Sequence, residues 1–140
     1  MDIWKVFKAD ETLIKEYKYW KLLLHLKQNK LGRMVAILKR EAFPLSKINP
    51  EEMSEYSEVV KDAEGALEKS FGAYLVQHLC LMFKDKQVHF HIIPRYEEEI
   101  EFAGETWVDS GEADPLVQEV DEIEAEPMDL IIKEIKKNLE

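Results

Sequence analysis

Apolar and polar positions along the chain change rhythm several times, and each change marks an element. Over residues 12–17 and again over 19–26, aromatic and aliphatic side chains are interleaved with lysines, the pattern of two β-strands. Lys27-Gln28-Asn29-Lys30-Leu31-Gly32 is polar and ends in glycine, which reads as a turn into a third strand over 34–38. The rhythm then lengthens. Asn49 is a good helix N-cap, Pro50 suits the first helical position, and Glu51 and Glu52 favour the positive end of the helix dipole. Met53, Tyr56, Val60, Ala63 and Leu67 follow at spacings of three and four, which predicts a long helix ending near Gly72. That stripe is read as core and given no chemistry.

Residues 74–82 read as a buried strand, and Lys84-Asp85-Lys86 as a tight connection to a fifth strand, Gln87-Val88-His89-Phe90-His91-Ile92-Ile93-Pro94-Arg95. Successive strand side chains point to opposite faces. Val88, Phe90 and Ile92 should therefore enter a core while Gln87, His89 and His91 share the other face. Strands joined by short links pair antiparallel, so the expected domain is α+β: an antiparallel sheet of about five strands, the long helix on one face and the histidines on the other. After Gly111 the pattern weakens. Residues 112–126 are acidic with scattered Leu, Val and Ile, an arm or loop. Pro127 then introduces apolar positions 128, 131, 132, 135 and 139, a short amphipathic C-terminal helix. The organisation expected is one domain over 1–111, with the arm and helix of 112–140 packed on it or on a dimer mate. Docking of another protein on that helix is the alternative.

Composition narrows the class. With 140 residues, 46% of them hydrophobic, the chain is long enough for one domain with a real core. The N-terminus lacks an apolar run of signal-peptide length and no stretch approaches a membrane span, so neither a leader nor a membrane partner is expected. A single cysteine, Cys80, cannot form an internal disulfide and reads as a small buried apolar residue. A cytoplasmic location fits. The net charge of −10 is uneven: from Glu97 onward there are 16 acids and 3 bases, whereas the first 96 residues have 13 acids and 16 bases. A mildly basic body suits an anionic ligand such as a nucleotide phosphate. The overall acidity argues against a long duplex nucleic acid, which demands many phosphate-neutralising cations.

Two imidazoles on one strand face stand roughly 6–7 Å apart by strand geometry. Histidine is the side chain most easily set to move a proton, attack an electrophile or ligate a metal near neutral pH. His-x-His on a strand can supply two zinc ligands; that reading needs a third from His25, His78 or Glu101.

The Gln87–Arg95 stretch resembles the signature of the histidine triad (HIT) family, His-x-His-x-His with apolar spacers, often followed by Pro-Arg. The second and third histidines, the spacers and Pro94-Arg95 match; Gln87 stands in place of the first histidine. Leu31 to Arg40 resembles the family's Gly-led strand, Asn49-Pro50-Glu51-Glu52-Met53 the start of its long helix, and Glu101 to Asp109 a segment of the diadenosine-tetraphosphate hydrolase-like branch. The resemblance implies the same fold, commonly as a homodimer. It also implies a nucleotide hydrolase or transferase acting at the α-phosphate of a dinucleoside polyphosphate or nucleoside phosphoramidate. His89 takes the place of the nucleophile that forms a covalent nucleotidyl-histidine. His91 takes that of the phosphate contact, which as imidazolium would stabilise developing charge. Gln87, a supporting residue there, cannot carry a proton. In place of the phosphate-contacting Gly-Gln-Ser/Thr loop of many relatives, this chain offers Lys84 and Lys86. His25 occupies the position of an Asn that holds ribose hydroxyls, with a surface strand residue as the equal alternative; Arg33 occupies that of a frequent His and reads as an exposed strand end rather than a residue near the pocket, and Arg95 as an exposed cation. No cofactor or metal is called for. The alternative to an enzyme is a nucleotide-binding module without turnover, its acidic arm serving a partner.

Overall fold

The computed structural model describes residues 2–139. Five strands form one antiparallel sheet in the order β1-β2-β3-β5-β4: β1 Leu13–Glu16, β2 Trp20–Leu24, β3 Met34–Leu38, β4 Leu75–Leu79 and β5 His89–Arg95. With α3 (Pro50–Phe71) and α4 (Ala125–Lys137) the domain is α+β, as the alternation requires.

The sheet separates two apolar layers. Trp20, Leu22, Leu24, Met34, Ala36, Leu38 and Ile92 point into the larger one and pack with α3 and α4. Leu23, Val35 and Ile37 point the other way, into a smaller layer closed by Ile3, Phe7 and Ala9. Ile3 and Ala9 belong to two single-turn helices, α1 (Ile3–Val6) and α2 (Ala9–Thr12), and Phe7 caps the first; the sequence pattern did not disclose them. Four-residue helices are too short to show a period; the local mark was Asp2, whose carboxylate caps the Trp4 amide.

The long helix begins as the sequence predicts. Asn49 and Glu52 form a reciprocal capping box, Pro50 opens the helix, and Gly72 closes it in the left-handed region at φ 77°. Its buried stripe is rotated relative to the expected one: Tyr56, Val59, Ala63, Ala66, Leu67 and Phe71 are buried, while Met53 is exposed. Gly32 lies under this helix at φ 89°, and a Cβ there would come within 2.6 Å of Leu67 Cδ2. Only glycine meets both demands.

Two connections differ from expectation. The strand read over 74–82 stops at Leu79, and Met82 adopts a left-handed φ of 38°, so the route to β5 is a loop rather than a tight turn. After β5, Ile100–Phe102 (β6) and Glu105–Trp107 (β7) form a hairpin whose turn, Ala103-Gly104, has φ of 53° and 75°. Two positive φ values fit a primed hairpin turn; with Ala where Asn or Asp is usual, the signal was faint.

The C-terminal helix buries Met128, Ile131, Ile132 and Ile135 against the larger layer. The acidic arm leading to it is held at buried points. Lys30 Nζ, almost wholly buried, pairs with Asp109 (3.0 Å) and with Glu112. Arg95, expected to be exposed, is buried too: its guanidinium clasps both Asp109 oxygens, Gln77 and the Glu112 carbonyl.

Candidate active site

β3 and β5 pair so that Val35 lies opposite His91 and Ile37 opposite His89. Directly opposed residues share a face, which puts both histidines on the α1–α2 side of the sheet, away from α3. Alternation brings two more side chains to that side: His25, two positions after Leu23, and Arg33, two before Val35. His25 is drawn in with the pair. The His89 and His91 ring centroids are 5.1 Å apart, and those of His25 and His91 5.5 Å. Phe7 packs edge-on against His25 at 5.3 Å. The three imidazoles line a cavity of about 440 Å³ walled by Phe7, Lys27, Arg33, Glu122 and the Leu81–Asp85 loop.

Each ring has its Nδ1 engaged by a different partner, and the partners determine where the protons lie. His89 Nδ1 is 2.6 Å from the Gln87 carbonyl, which can only accept. The proton therefore belongs on Nδ1, and the neutral ring carries its lone pair on Nε2. His25 Nδ1 accepts from the Lys27 amide at 3.0 Å, so its proton belongs on Nε2. His91 Nδ1 faces Arg33 Nη2 at 3.2 Å; a guanidinium has only donors, so His91 too carries its proton on Nε2. Among the described residues the one fully buried side-chain nitrogen or oxygen without a partner is Arg33 Nε. The three Nε2 atoms, which have no protein partner either, must therefore reach the open space of the cavity. What they present is one lone pair, on His89, followed by the N–H donors of His91 and then His25.

His91 is not the imidazolium that was expected. Burial, the Arg33 guanidinium and the neighbouring His89 push its pKa down to about 3. Burial, and then Arg33, push that of His25 down to about 2. Both rings are neutral at pH 7 and act as polar N–H donors. Arg33 likewise is no exposed strand-end cation: it is buried, with burial lowering its pKa to about 10, and remains charged.

The other site residues inferred from sequence fall outside the imidazole cluster to varying degrees. The alternation runs on ahead of β5: the Leu38 amide donates to the Val88 carbonyl, Val88 enters the larger layer, and Gln87 borders a depression with Ile3 and Trp4 on the α1 side. The Gln87 amide turns away from the cavity. Its Nε2 donates to the Leu38 and Arg40 carbonyls at 2.8 and 2.9 Å, and its Oε1 accepts from the Ala42 amide at 2.8 Å. Gln87 thus ties the segment after β3 to the start of β5, and its contact with the cluster is its backbone carbonyl. Lys84 lines the histidine cavity. Lys86 lies in an adjoining depression, its ammonium over the Phe43 and Phe83 rings and bonded to the Phe83 carbonyl. Of the third ligands a metal would need, His78 sits on the α3 side of the sheet beside Tyr56 and Glu64, and Glu101 bonds Thr106 on the hairpin. Among the described residues no group of three His, Cys, Asp or Glu side chains is arranged to hold a metal ion.

The chain matches no family model and no curated protein sequence. Solved structures do match over nearly the whole length. A histidine triad protein of Sinorhizobium meliloti superposes with a TM-score of 0.77 at 16% identity, covering 99% of this chain and 96% of that one. The chain has the histidine triad fold. A hypothetical histidine triad nucleotide-binding protein of Sulfolobus tokodaii gives a TM-score of 0.68 at 18% identity, over 91% of this chain and 82% of its own. A zinc-bound histidine triad protein of Mycobacterium smegmatis gives 0.63 at 17% identity, over 96% and 92%. Identities this low carry the fold and no residue's role. No helix among the described residues is long and apolar enough to cross a membrane.

Sequence reasoning favoured an exposed strand end for Arg33 over a place near the pocket, and passed over Phe7 altogether. Arg33 was legible in principle, since it alternates with Val35 and Ile37. Phe7 was not, because nothing local shows that α1 folds back over the sheet.

Proposed function

We propose that this protein is a nucleotide hydrolase or transferase that attacks the α-phosphorus of an adenylylated compound through His89. One observation carries the reading: the Nδ1–H of His89 is held by the Gln87 carbonyl at 2.6 Å, which leaves its Nε2 lone pair for the cavity, next to the N–H-donating ring of His91. An imidazole fixed in this tautomer is an activated nucleophile. Its Nε2 forms a bond to phosphorus as the bond from phosphorus to the leaving group breaks. The ring becomes cationic, and its Nδ1–H bond to the Gln87 carbonyl strengthens as charge develops. The Nε2–H groups of His25 and His91 are donors for the phosphoryl oxygens, an arrangement suited to the charge of the transition state. Water then attacks phosphorus as the bond from phosphorus to Nε2 breaks, which releases the nucleoside monophosphate, restores the neutral ring and passes one water proton to solvent.

Neither His25 nor His91 is an imidazolium at neutral pH, so neither protonates a leaving group. That favours leaving groups that depart as stable anions, as from a dinucleoside polyphosphate, over amines from a phosphoramidate. The same feature supports a second reading, a nucleotide-binding module without turnover, because Gln87 cannot shuttle a proton either. The likeness to a hypothetical histidine triad nucleotide-binding protein of Sulfolobus tokodaii is consistent with both. A homodimer and a cytoplasmic location belong to this proposal. For the dimer, β4 offers a sheet edge next to exposed Tyr74 and Leu75.

The test is to follow AMP release from diadenosine tetraphosphate and from an adenosine phosphoramidate, with acid-quenched trapping of labelled nucleotide on the protein. Turnover with label on His89, and a loss of more than about a thousandfold in His89→Ala, is the expected outcome. Tight binding without AMP release selects the module; full activity in His89→Ala refutes the nucleophile.

A further inference from the structure

We propose that Arg33 is a positioning residue that locks His91 in its N–H-donating tautomer, and that the acidic arm holds Arg33 in place through Asn29. The proposal rests on the reading of His91 as a phosphate contact and adds to it the reason that contact is a donor.

A neutral imidazole has two tautomers, and for a ring on a strand the choice depends on what lies against Nδ1. Here it is Arg33 Nη2 at 3.2 Å. A guanidinium cannot accept a hydrogen bond and does not lose its proton near neutral pH. The Nδ1–H tautomer of His91 would set two donors against each other, and the imidazolium would add like-charge repulsion. Only the Nε2–H form is compatible. Nor is Arg33 free to swing aside. Its Nη1 donates to Asn29 Oδ1 at 3.1 Å, and Asn29 Nδ2 donates to the Pro115 carbonyl at 2.6 Å. All three side chains on the path from Asn29 to His91 are at least half-buried. A continuous series of hydrogen bonds therefore runs from the arm to the cavity, and Lys30 with Glu112 and the Ile123 amide with the Leu26 carbonyl fix the arm on either side of it. The buried, unpartnered Arg33 Nε marks what this placement sacrifices, since the fork is oriented for His91 and Asn29 and leaves its third edge unsatisfied. The charged and titratable groups around His91 are Arg33, His25 and His89, with Lys27, Lys84, Asp85 and Glu122 at the cavity wall. Of these, Arg33 is the one bonded to its Nδ1.

The measurement that needs no substrate is nitrogen-15 NMR of the histidine rings in the full chain. The wild-type protein should show His91 neutral, protonated on Nε2 and bare on Nδ1, from pH 8 down to pH 5. In Arg33→Met the ring, still buried, should show both tautomers. Arg33→Lys, which keeps a donor-only group, should restore the wild-type pattern at least in part. Asn29→Ala, which leaves both Arg33 and His91 present, should give an intermediate one and does so even if Arg33→Met folds poorly. On diadenosine tetraphosphate, Arg33→Met should lower kcat at pH 7 by about tenfold or more with little change in KM, as expected for a donor that acts on the transition state. A wild-type His91 protonated on Nδ1, or a tautomer unchanged in Arg33→Met, would overturn the lock. A shifted tautomer with unchanged kcat would overturn its role in the reaction. An absence of turnover in the wild-type protein would sink the proposed function and leave the NMR result standing.

Discussion

Two neutral imidazoles in one cavity make stability depend on pH in a way that can be worked out from the site. The pKa values of His25 and His91 are about 2 and about 3 in the folded chain, against 6.5 for an unperturbed ring. A base whose folded pKa is depressed binds fewer protons in the native than in the unfolded state throughout the interval between the two values. Stability is therefore full above pH 6.5 and falls as the pH drops toward 3. Between pH 7.5 and 5 each ring withdraws about 2 kcal/mol and the pair about 4, with a slope near pH 5 of about 3 kcal/mol per pH unit. Against a typical total of about 5–15 kcal/mol this is a large fraction. The assay is urea unfolding at pH 7.5 and 5.0, comparing the wild-type protein with a His25→Asn, His91→Asn variant, whose amide oxygens can accept where each Nδ1 did. Titrations elsewhere are common to both proteins. The wild-type midpoint should fall further than the variant's by about 2 M, for a slope of about 2 kcal/mol per M. Equal falls in the two proteins would refute the assignment of both rings as buried and neutral.

Gln87→Ala should destabilise the chain by about 2–3 kcal/mol, the loss of two buried hydrogen bonds and one partly buried one at about 1 kcal/mol each. Urea unfolding measures the loss, and an unchanged midpoint would show that the amide does not bridge the two strands. Gly32→Ala combines a strained φ of 89° with a Cβ 2.6 Å from Leu67 Cδ2. It should cost about 2 kcal/mol or more, read as a fall in Tm, with retention of the wild-type Tm as the contrary result.

The local chemistry of the chain was enough to specify most of the elements. Asn49, Pro50 and Gly72 mark the long helix because capping and φ restrictions act within a few residues. Alternation placed His89 and His91 opposite the core because a strand's period is a property of its backbone. The same rule gave Gln87 its face but not its partners, since its amide answers to carbonyls at Leu38 and Arg40, far away in sequence.

What only the tertiary structure decided is the state of the site. His25 could be a surface residue or a ligand until β2 and β5 were placed on either side of β3. His91 reads as a cation until Arg33 and the surrounding burial are known, and Arg33 reads as a surface charge until Asn29 and the arm enclose it. The reason is the range of the forces involved. Propensity, capping and periodicity are written in neighbouring residues, whereas protonation depends on burial and on charges that the fold alone brings within a few ångströms.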